Sequence, residues 1–350
     1  MKAAVYYKND DIRVEEINDL DVGYGEIKVK IKSCGICGSD VMEWYRIKRS
    51  GKPGGIGAFG HECTGDIVEI GPGVDPKWKI GDRVVVTHHV PDNTCPTCIY
   101  GHTTACHHHH TMKFKNGYGA YAEYVVLPLP DADRGILKLP DIVSYDEGTF
   151  VEPLGCVIRG QRISKVRDSK SVLIIGAGIA GILHTQAAIS NGAGLVVVSD
   201  VLDYRLELAK KFGANYVINA EKENVPKRFK ELNDNRGADV VIMTVPLSIC
   251  IQQSLESISP GGIILFFTST RPGVKSEIDI WDLWQNEVTI THSYSADFRD
   301  LYCALKWIEY KRINVKDMIT HHFPLEKTSE GFMLTANPKE GSLKVIIHIN

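Results

Sequence analysis

A chain of 350 residues, 43% hydrophobic and 24% charged, has the composition of an ordinary globular protein and is long enough for two domains. A net charge of -3 with no clustered block of Lys and Arg excludes the basic footprint of a nucleic-acid binder. No run approaches the roughly 20 apolar residues of a membrane-crossing helix, and Met1 to Lys8 lacks the apolar core of a signal peptide, so a cytoplasmic protein is expected. Nine cysteines, an odd number in metal-like spacings, suit reduced thiols better than a disulfide framework.

From Lys2 to about Val126 the chain reads as short strands divided by turns, which predicts a small barrel-like β domain. Ile27 to Lys32 and Thr64 to Ile70 alternate with period two, Gly71-Pro72-Gly73 punctuates, and Asp82 to Val86 follows a turn at Gly81. Within this region Cys34-Gly35-Ile36-Cys37-Gly38-Ser39-Asp40 is followed by Gly60-His61-Glu62-Cys63. Thiolate, imidazole and carboxylate are the ligand types zinc takes, and a catalytic zinc needs three protein ligands with one position open. Either half alone reads as a buried Cys or a structural His.

Asp92-Asn93-Thr94-Cys95-Pro96-Thr97-Cys98, with Cys106 further on, carries the spacing of a closed structural zinc site that would pin a loop. Asp92, His102 and His107 all compete for its fourth position. The run His107 to His110 reads as a solvated loop. Strand character returns after Gly117-Tyr118-Gly119-Ala120-Tyr121, and a helical pattern begins near Ser144. On it or just after it stands Glu152, beside Pro153. A glutamate there is ordinarily a solvent contact; as a third zinc ligand it would, with Cys37, neutralise Zn²⁺.

Ser171 to Ile175 is a near-continuous apolar run, as a strand buried on both faces requires. It ends in Gly176-Ala177-Gly178-Ile179-Ala180-Gly181, then a helix over Ile182 to Ser190, then a strand Leu195 to Asp200. Strand, glycine turn, helix and terminal acid form the dinucleotide fingerprint: glycines let the backbone approach the pyrophosphate, the helix N-terminus offers N–H groups, and Asp200 takes the ribose hydroxyls. An acid there repels a 2′-phosphate and favours NAD over NADP, with Arg205 as the counter-signal. Helices over Tyr204 to Phe212, Val225 to Leu232 and Ile249 to Ile258 alternate with strands at Tyr216 to Ile218, Ala238 to Met243 and Gly262 to Phe267, predicting a doubly wound α/β domain. A helix over Leu301 to Tyr310 and a closing strand at Lys344 to Ile349 return to the first domain. Trp281, Trp284 and Trp307 read as packing residues, and Trp44, Tyr45, Phe59 and Tyr294 as candidate pocket linings.

Taken together, Gly35 to Asp40, Gly60-His61-Glu62, Gly81-Asp82-Arg83-Val84, the lobe cysteines, Glu152-Pro153-Leu154 and Gly176 to Gly181 with Asp200 resemble the zinc-dependent medium-chain dehydrogenase/reductase family, in its polyol and threonine dehydrogenase branch. The resemblance implies a GroES-like catalytic domain over residues 1–150, completed by about 300–350, and a Rossmann NAD-binding domain over 151–299, with the active site in the cleft between them. It implies Cys37, His61 and Glu152 as catalytic zinc ligands, with Glu62 approaching or binding the metal, Asp40 orienting His61 and Ser39 passing the alcohol proton outward. Gly176, Gly178, Ile179, Ala180, Gly181, Asp200 and Arg205 are implied at the cofactor.

Two positions depart from the family. Met42 stands where some alcohol dehydrogenases carry a relay histidine, and Asp92 occupies the first of the four lobe positions, where most relatives have cysteine. The resemblance implies a homodimer or homotetramer that oxidises a small-molecule secondary alcohol to its ketone. Glu152 in place of a second thiolate keeps the ligand charge but makes the site harder and richer in oxygen, which suits substrates with adjacent hydroxyls: a polyol, sugar alcohol or cyclitol. The alternatives are a threonine or simple secondary alcohol dehydrogenase, a zinc-free quinone or enone reductase, and a non-enzymatic zinc module.

Overall fold

The computed structural model describes residues 1–50, 59–87, 89–107, 110–111, 114–115, 117–129, 131–339 and 341–349, without the side chains of 47–50, 110, 111 and 131. It divides into two compact units. One comprises Met1–Gly155, Ser295–Lys311 and Val315–Asn350, the other Cys156–Tyr294 and Arg312–Asn314. The sequence boundaries at 150 and 299 differ from these by a few residues, and one division falls inside the helix Val151–Ile163.

The first unit is built on a sheet in the order Ile319–Pro324, Lys344–His348, Ile27–Gly35, Glu62–Ile70, Arg83–Val86, Ile136–Lys138, with Tyr124–Leu127 also paired to Ile27–Gly35. All neighbours are antiparallel except the first two strands. Alternation along the third strand buries Ile27, Val29 and Ile31 completely in the core, each worth about 1.5–3 kcal/mol relative to exposure. Phe59, Tyr121 and Phe332 meet in the same core, with ring centroids 4.8 to 5.5 Å apart. Phe59 is therefore a core residue rather than a pocket lining. The closing strand Lys344–His348 returns to this sheet and pairs with Ile27–Gly35, so the chain's last strand lies beside the segment that leads into Cys37.

The edge strand Ile319–Pro324 escaped the sequence pattern because Thr320, His321, His322 and Pro324 give it no apolar alternation, and an edge tolerates them. Of the histidine run, His107 is exposed and the backbone of His110 pairs with Val90; His108 and His109 lie outside the described residues.

The second unit carries a six-stranded, wholly parallel sheet in the order Tyr216–Asn219, Leu195–Asp200, Ser171–Ile175, Ala238–Met243, Ile258–Phe266, Thr289–His292. Numbered along the chain that order is 3-2-1-4-5-6, whose reversal beside the first strand creates a crevice at the strands' carboxyl ends. Every residue of Ser171–Ile175 is buried. Trp281 and Trp284 are corrected: they are 63% and 70% exposed, with ring centroids 5.4 Å apart, on the short helix Ile280–Gln285. Their surface location has a physical reason: this helix has no buried residue.

Candidate metal centres and dinucleotide site

Cys37 leaves the end of the strand Ile27–Gly35 in a turn closed by Asp40 N–H donating to Cys37 O at 3.0 Å, and His61 stands just before the strand Glu62–Ile70 that pairs with it. Strand pairing thus joins two segments distant in sequence, with Gly35 opposite Glu62. Ligand atoms of Cys37, His61 and Glu62 all lie within 4.8 Å of one another. Asp40 sets the imidazole: its Oδ1 is 3.6 Å from His61 Nδ1, which leaves Nε2 for a metal, the arrangement carboxylate–histidine–zinc sites use. Asp40 is itself fixed, accepting from Tyr121 Oη at 3.0 Å, Cys37 N at 3.2 Å and Arg46 Nη1 at 3.3 Å.

Burial pushes the Cys37 thiol up and Glu62 adds to it, while His61 pulls the other way. Burial also drives His61 down, but Asp40 and Cys37 outweigh it and hold the imidazole well above its usual pKa. Without a cation, thiol and imidazole therefore each hold a proton more tightly than usual. A divalent cation would bind thiolate and neutral imidazole together, so the donor set fits zinc. Ser39 Oγ donates to Cys37 Sγ at 3.4 Å. Glu152, in the first turn of Val151–Ile163, is buried and its charge raises Cys37, but it is not part of the 4.8 Å group.

Three residues at this centre were missed from the sequence: Tyr121, Arg46 and Lys344. Lys344 is fully buried, donates to Ile36 O at 3.3 Å, and forms a close ion pair with Glu62 Oε2. Its ammonium lies 5.4 Å from the centre of the Phe150 ring. Gly35 leaves room for the pair, since a Cβ there would stand 2.4 Å from Glu62 Oε2 and 2.8 Å from Lys344 Cε. The available signal was a lysine opening an otherwise apolar strand, Lys344-Val345-Ile346-Ile347.

Asp92, Cys95, Cys98 and Cys106 form a second group with ligand atoms within 4.8 Å, the three cysteines buried. Cys95 Sγ and Cys106 Sγ are 3.8 Å apart, the spacing of about 3.8 Å that Zn–S bonds of about 2.3 Å give along a tetrahedral edge. Asp92 Oδ1 accepts from Thr94 N at 2.7 Å and Cys95 N at 2.9 Å, so the acid also folds the turn that presents the first thiol. Backbone N–H groups of Cys98 and His107 hold the Cys95 thiol below its ordinary pKa, whereas burial pushes Cys98 up to about 12. His102 and His107 stand outside the group; His107 Nε2 lies 3.1 Å from Thr97 Oγ1.

In the second unit the turn after Ser171–Ile175 enters the helix Ile179–Ser190 through Gly178, three residues earlier than the apolar pattern suggests. Ile179, Ala180 and Gly181 therefore form its first turn. A Cβ on Gly181 would fall 1.8 Å from Gly176 O, so the helix can approach the strand only with glycine there. Asp200, at the end of the neighbouring strand, accepts from Ala177 N at 2.7 Å and Leu202 N at 3.0 Å on different oxygens. Each oxygen keeps a lone pair for a ribose hydroxyl. Arg205 Nη1 reaches within 4.0 Å of where a Gly178 Cβ would lie, and its buried Nε has no hydrogen-bond partner among the described residues. A strand, a glycine turn, free helix N–H groups and a buried acid fit a dinucleotide.

Two family models match the chain: the alcohol dehydrogenase GroES-like domain over residues 23–141 and the zinc-binding dehydrogenase domain over 180–310. Sorbitol dehydrogenase of Bacillus subtilis (strain 168) is 29% identical over 366 residues, covering 100% of this chain and 98% of that one. L-threonine 3-dehydrogenase of Pyrococcus abyssi is 32% identical over 337 residues, covering 94% of each. A solved zinc-binding dehydrogenase from Sinorhizobium meliloti 1021 bound to NADP superposes with a TM-score of 0.88 at 25% identity, over 99% of this chain and 98% of that one. With its GroES-like and Rossmann folds, the chain belongs to the zinc-dependent medium-chain dehydrogenase/reductase family, and is an oxidoreductase acting on a small-molecule alcohol with zinc and NAD(P).

Proposed function

We propose that this enzyme interconverts a polyol, sugar alcohol or cyclitol and its ketone, with NAD as the preferred dinucleotide. The observation that carries the reading is the group of half-buried Cys37 with buried His61 and Glu62, backed by Asp40, with the charge of Glu152 reaching Cys37. Two carboxylates beside one thiolate make a hard, oxygen-rich site, which favours substrates with adjacent hydroxyls over simple primary alcohols.

Cys37 and His61, with Glu152 and Glu62 as the carboxylates, would hold the catalytic zinc; Asp92, Cys95, Cys98 and Cys106 would hold a structural one. Zinc supplies a Lewis acid that lowers a hydroxyl's pKa, and the nicotinamide supplies the hydride acceptor. The chain's own residues do the rest. Asp40 keeps the His61 ring and tautomer in place; Tyr121 and Arg46 keep Asp40 in place. Ser39 Oγ, beside Cys37 Sγ, takes the alcohol proton and passes it outward, and the Met42 thioether has no proton to relay. The glycine turn and the N–H groups of Ile179–Ser190 grip the pyrophosphate, and Asp200 accepts from the ribose hydroxyls while repelling a 2′-phosphate.

A homodimer or homotetramer is supported by Ile280, Trp281 and Trp284, all exposed, in a unit whose sheet ends in the strand Thr289–His292. A reducing, cytoplasmic setting is supported by nine free cysteines. No described helix is long and apolar enough to cross a membrane. The test is initial-rate kinetics over a panel of polyols, cyclitols, L-threonine and ethanol, with NAD and NADP, before and after chelation. Higher kcat/KM for polyols or cyclitols with NAD is expected. Preference for threonine would move the enzyme to the second reading, and preference for ethanol would overturn the polyol assignment.

A further inference from the structure

Away from both cysteine clusters, a third group of metal-binding side chains gathers on the first unit: Asp146, His322 and His348, with ligand atoms within 4.8 Å of one another. His322 Nε2 lies 3.0 Å from Asp146 Oδ2, and His348 Nε2 lies 3.0 and 3.1 Å from the two carboxylate oxygens. The imidazole centroids are 4.7 Å apart. Each residue comes from a different element. Asp146 is in the short helix Tyr145–Gly148, His322 on the edge strand Ile319–Pro324, and His348 at the end of its parallel neighbour Lys344–His348.

The group is held from beneath. Ser33, the register partner of His348 across the sheet, donates to Asp146 Oδ1 at 2.6 Å, and Thr64 Oγ1 donates to Tyr145 O at 2.9 Å. Ser144 caps the helix in a reciprocal pair with Glu147. Carboxylate position is therefore set by the sheet, while the imidazoles are 46% and 44% exposed and open to an ion from solvent. Metal–ligand bonds of about 2.0–2.2 Å place tetrahedral donor atoms about 3.3–3.5 Å apart, so an ion needs the present contacts to part by only a few tenths of an ångström.

We propose that Asp146, His322 and His348 form a further site for a divalent transition cation of the zinc class. Two imidazole nitrogens select zinc, cobalt or nickel over magnesium or calcium. Both imidazoles bind as neutral rings, and solvent fills the open position. Ser33 orients the carboxylate. The ion clamps the two C-terminal strands to Tyr145–Gly148, which is far from them along the chain, and so adds binding free energy to the fold.

The experiment uses zinc-loaded full-length enzyme in which His107, His108, His109 and His110 are replaced by asparagine, so that the histidine run does not contribute. Zn²⁺ is titrated by calorimetry into this parent and into the same protein carrying His322→Asn or His348→Asn. The parent is expected to take up one more equivalent than either variant, or to bind it at least tenfold more tightly, and to gain Tm with Zn²⁺ where the variants do not. Equal uptake and equal affinity in all three would overturn the site and leave a hydrogen-bonded staple. Anomalous scattering at the zinc edge from parent crystals tests the same point without relying on the variants: a peak between the three side chains supports the site, and its absence at saturating Zn²⁺ overturns it.

Discussion

The two cysteine clusters of the first unit use similar donors in opposite ways. Asp92, Cys95, Cys98 and Cys106 come from one stretch of chain, and Asp92 folds its own turn through Thr94 and Cys95 N–H groups. Cys37, His61 and Glu62 come from the ends of two paired strands, and two of them are set by a residue from elsewhere: His61 by Asp40, Glu62 by Lys344. A closed local set is suited to holding a loop. An assembled set of fewer ligands, with its supports outside it, is suited to chemistry, and its failure modes differ accordingly.

The largest contrast is expected from single ligand removals. Cys37→Ser is expected to lower kcat/KM by roughly a thousandfold or more, as loss of several kcal/mol of Lewis-acid stabilisation implies, with little change in Tm; paired kinetics and thermal melts check this. Retained activity would break the distinction between the clusters. In the metal-free protein Lys344→Met leaves a charged Glu62 buried and unpaired, and is expected to cost about 3–5 kcal/mol in urea unfolding. Adding Glu62→Gln should recover part of that loss, which a double-mutant cycle reads as coupling.

Cys98→Ser sharpens the other side. One zinc equivalent is expected to vanish by elemental analysis, with Tm lowered by roughly 4–8 °C for about 2 kcal/mol and kcat/KM within about threefold of the parent.

The smallest effect concerns the lobe's tether. Asp297 caps the helix Phe298–Glu309 and accepts from Thr103 Oγ1 at 3.0 Å. Burial raises its carboxyl, but the Asp300 N–H and the Thr103 hydroxyl outweigh that and hold it below the usual value. A depressed folded pKa stabilises above the ordinary Asp value of about 3.9 and is lost as pH falls through the lower folded value. Asp297→Ala should therefore cost about 0.5–2 kcal/mol at neutral pH and less as the solution is acidified through that window, measured by denaturant melts at stepped pH.

Much of the second unit was legible because its rules are local. Ser171–Ile175, Val225–Leu232 and Ala238–Met243 match the sequence reading to the residue, since a strand buried on both faces shows as a short apolar run and an amphipathic helix as a period. Strands with little apolar content, Ile319–Pro324 and Thr289–His292, were not legible; they exist because a neighbour offers its hydrogen-bonding edge. Trp281 and Trp284 were misread as packing because an aromatic residue carries no mark of the surface it faces.

Around Cys37 and His61 the candidate donors could be named from spacing and residue type, because ligand chemistry belongs to side chains and the glycine turns around them are encoded nearby. That Glu62 joins Cys37 and His61 while Glu152 stands outside the group, and that a lysine from the last strand neutralises Glu62, depended on strand pairing between distant segments. Sequence alone determined what chemistry was on offer and the dinucleotide turn that serves it. Tertiary structure decided which groups meet, because proximity across a sheet follows from register and buried charge must find its partner wherever the fold supplies one.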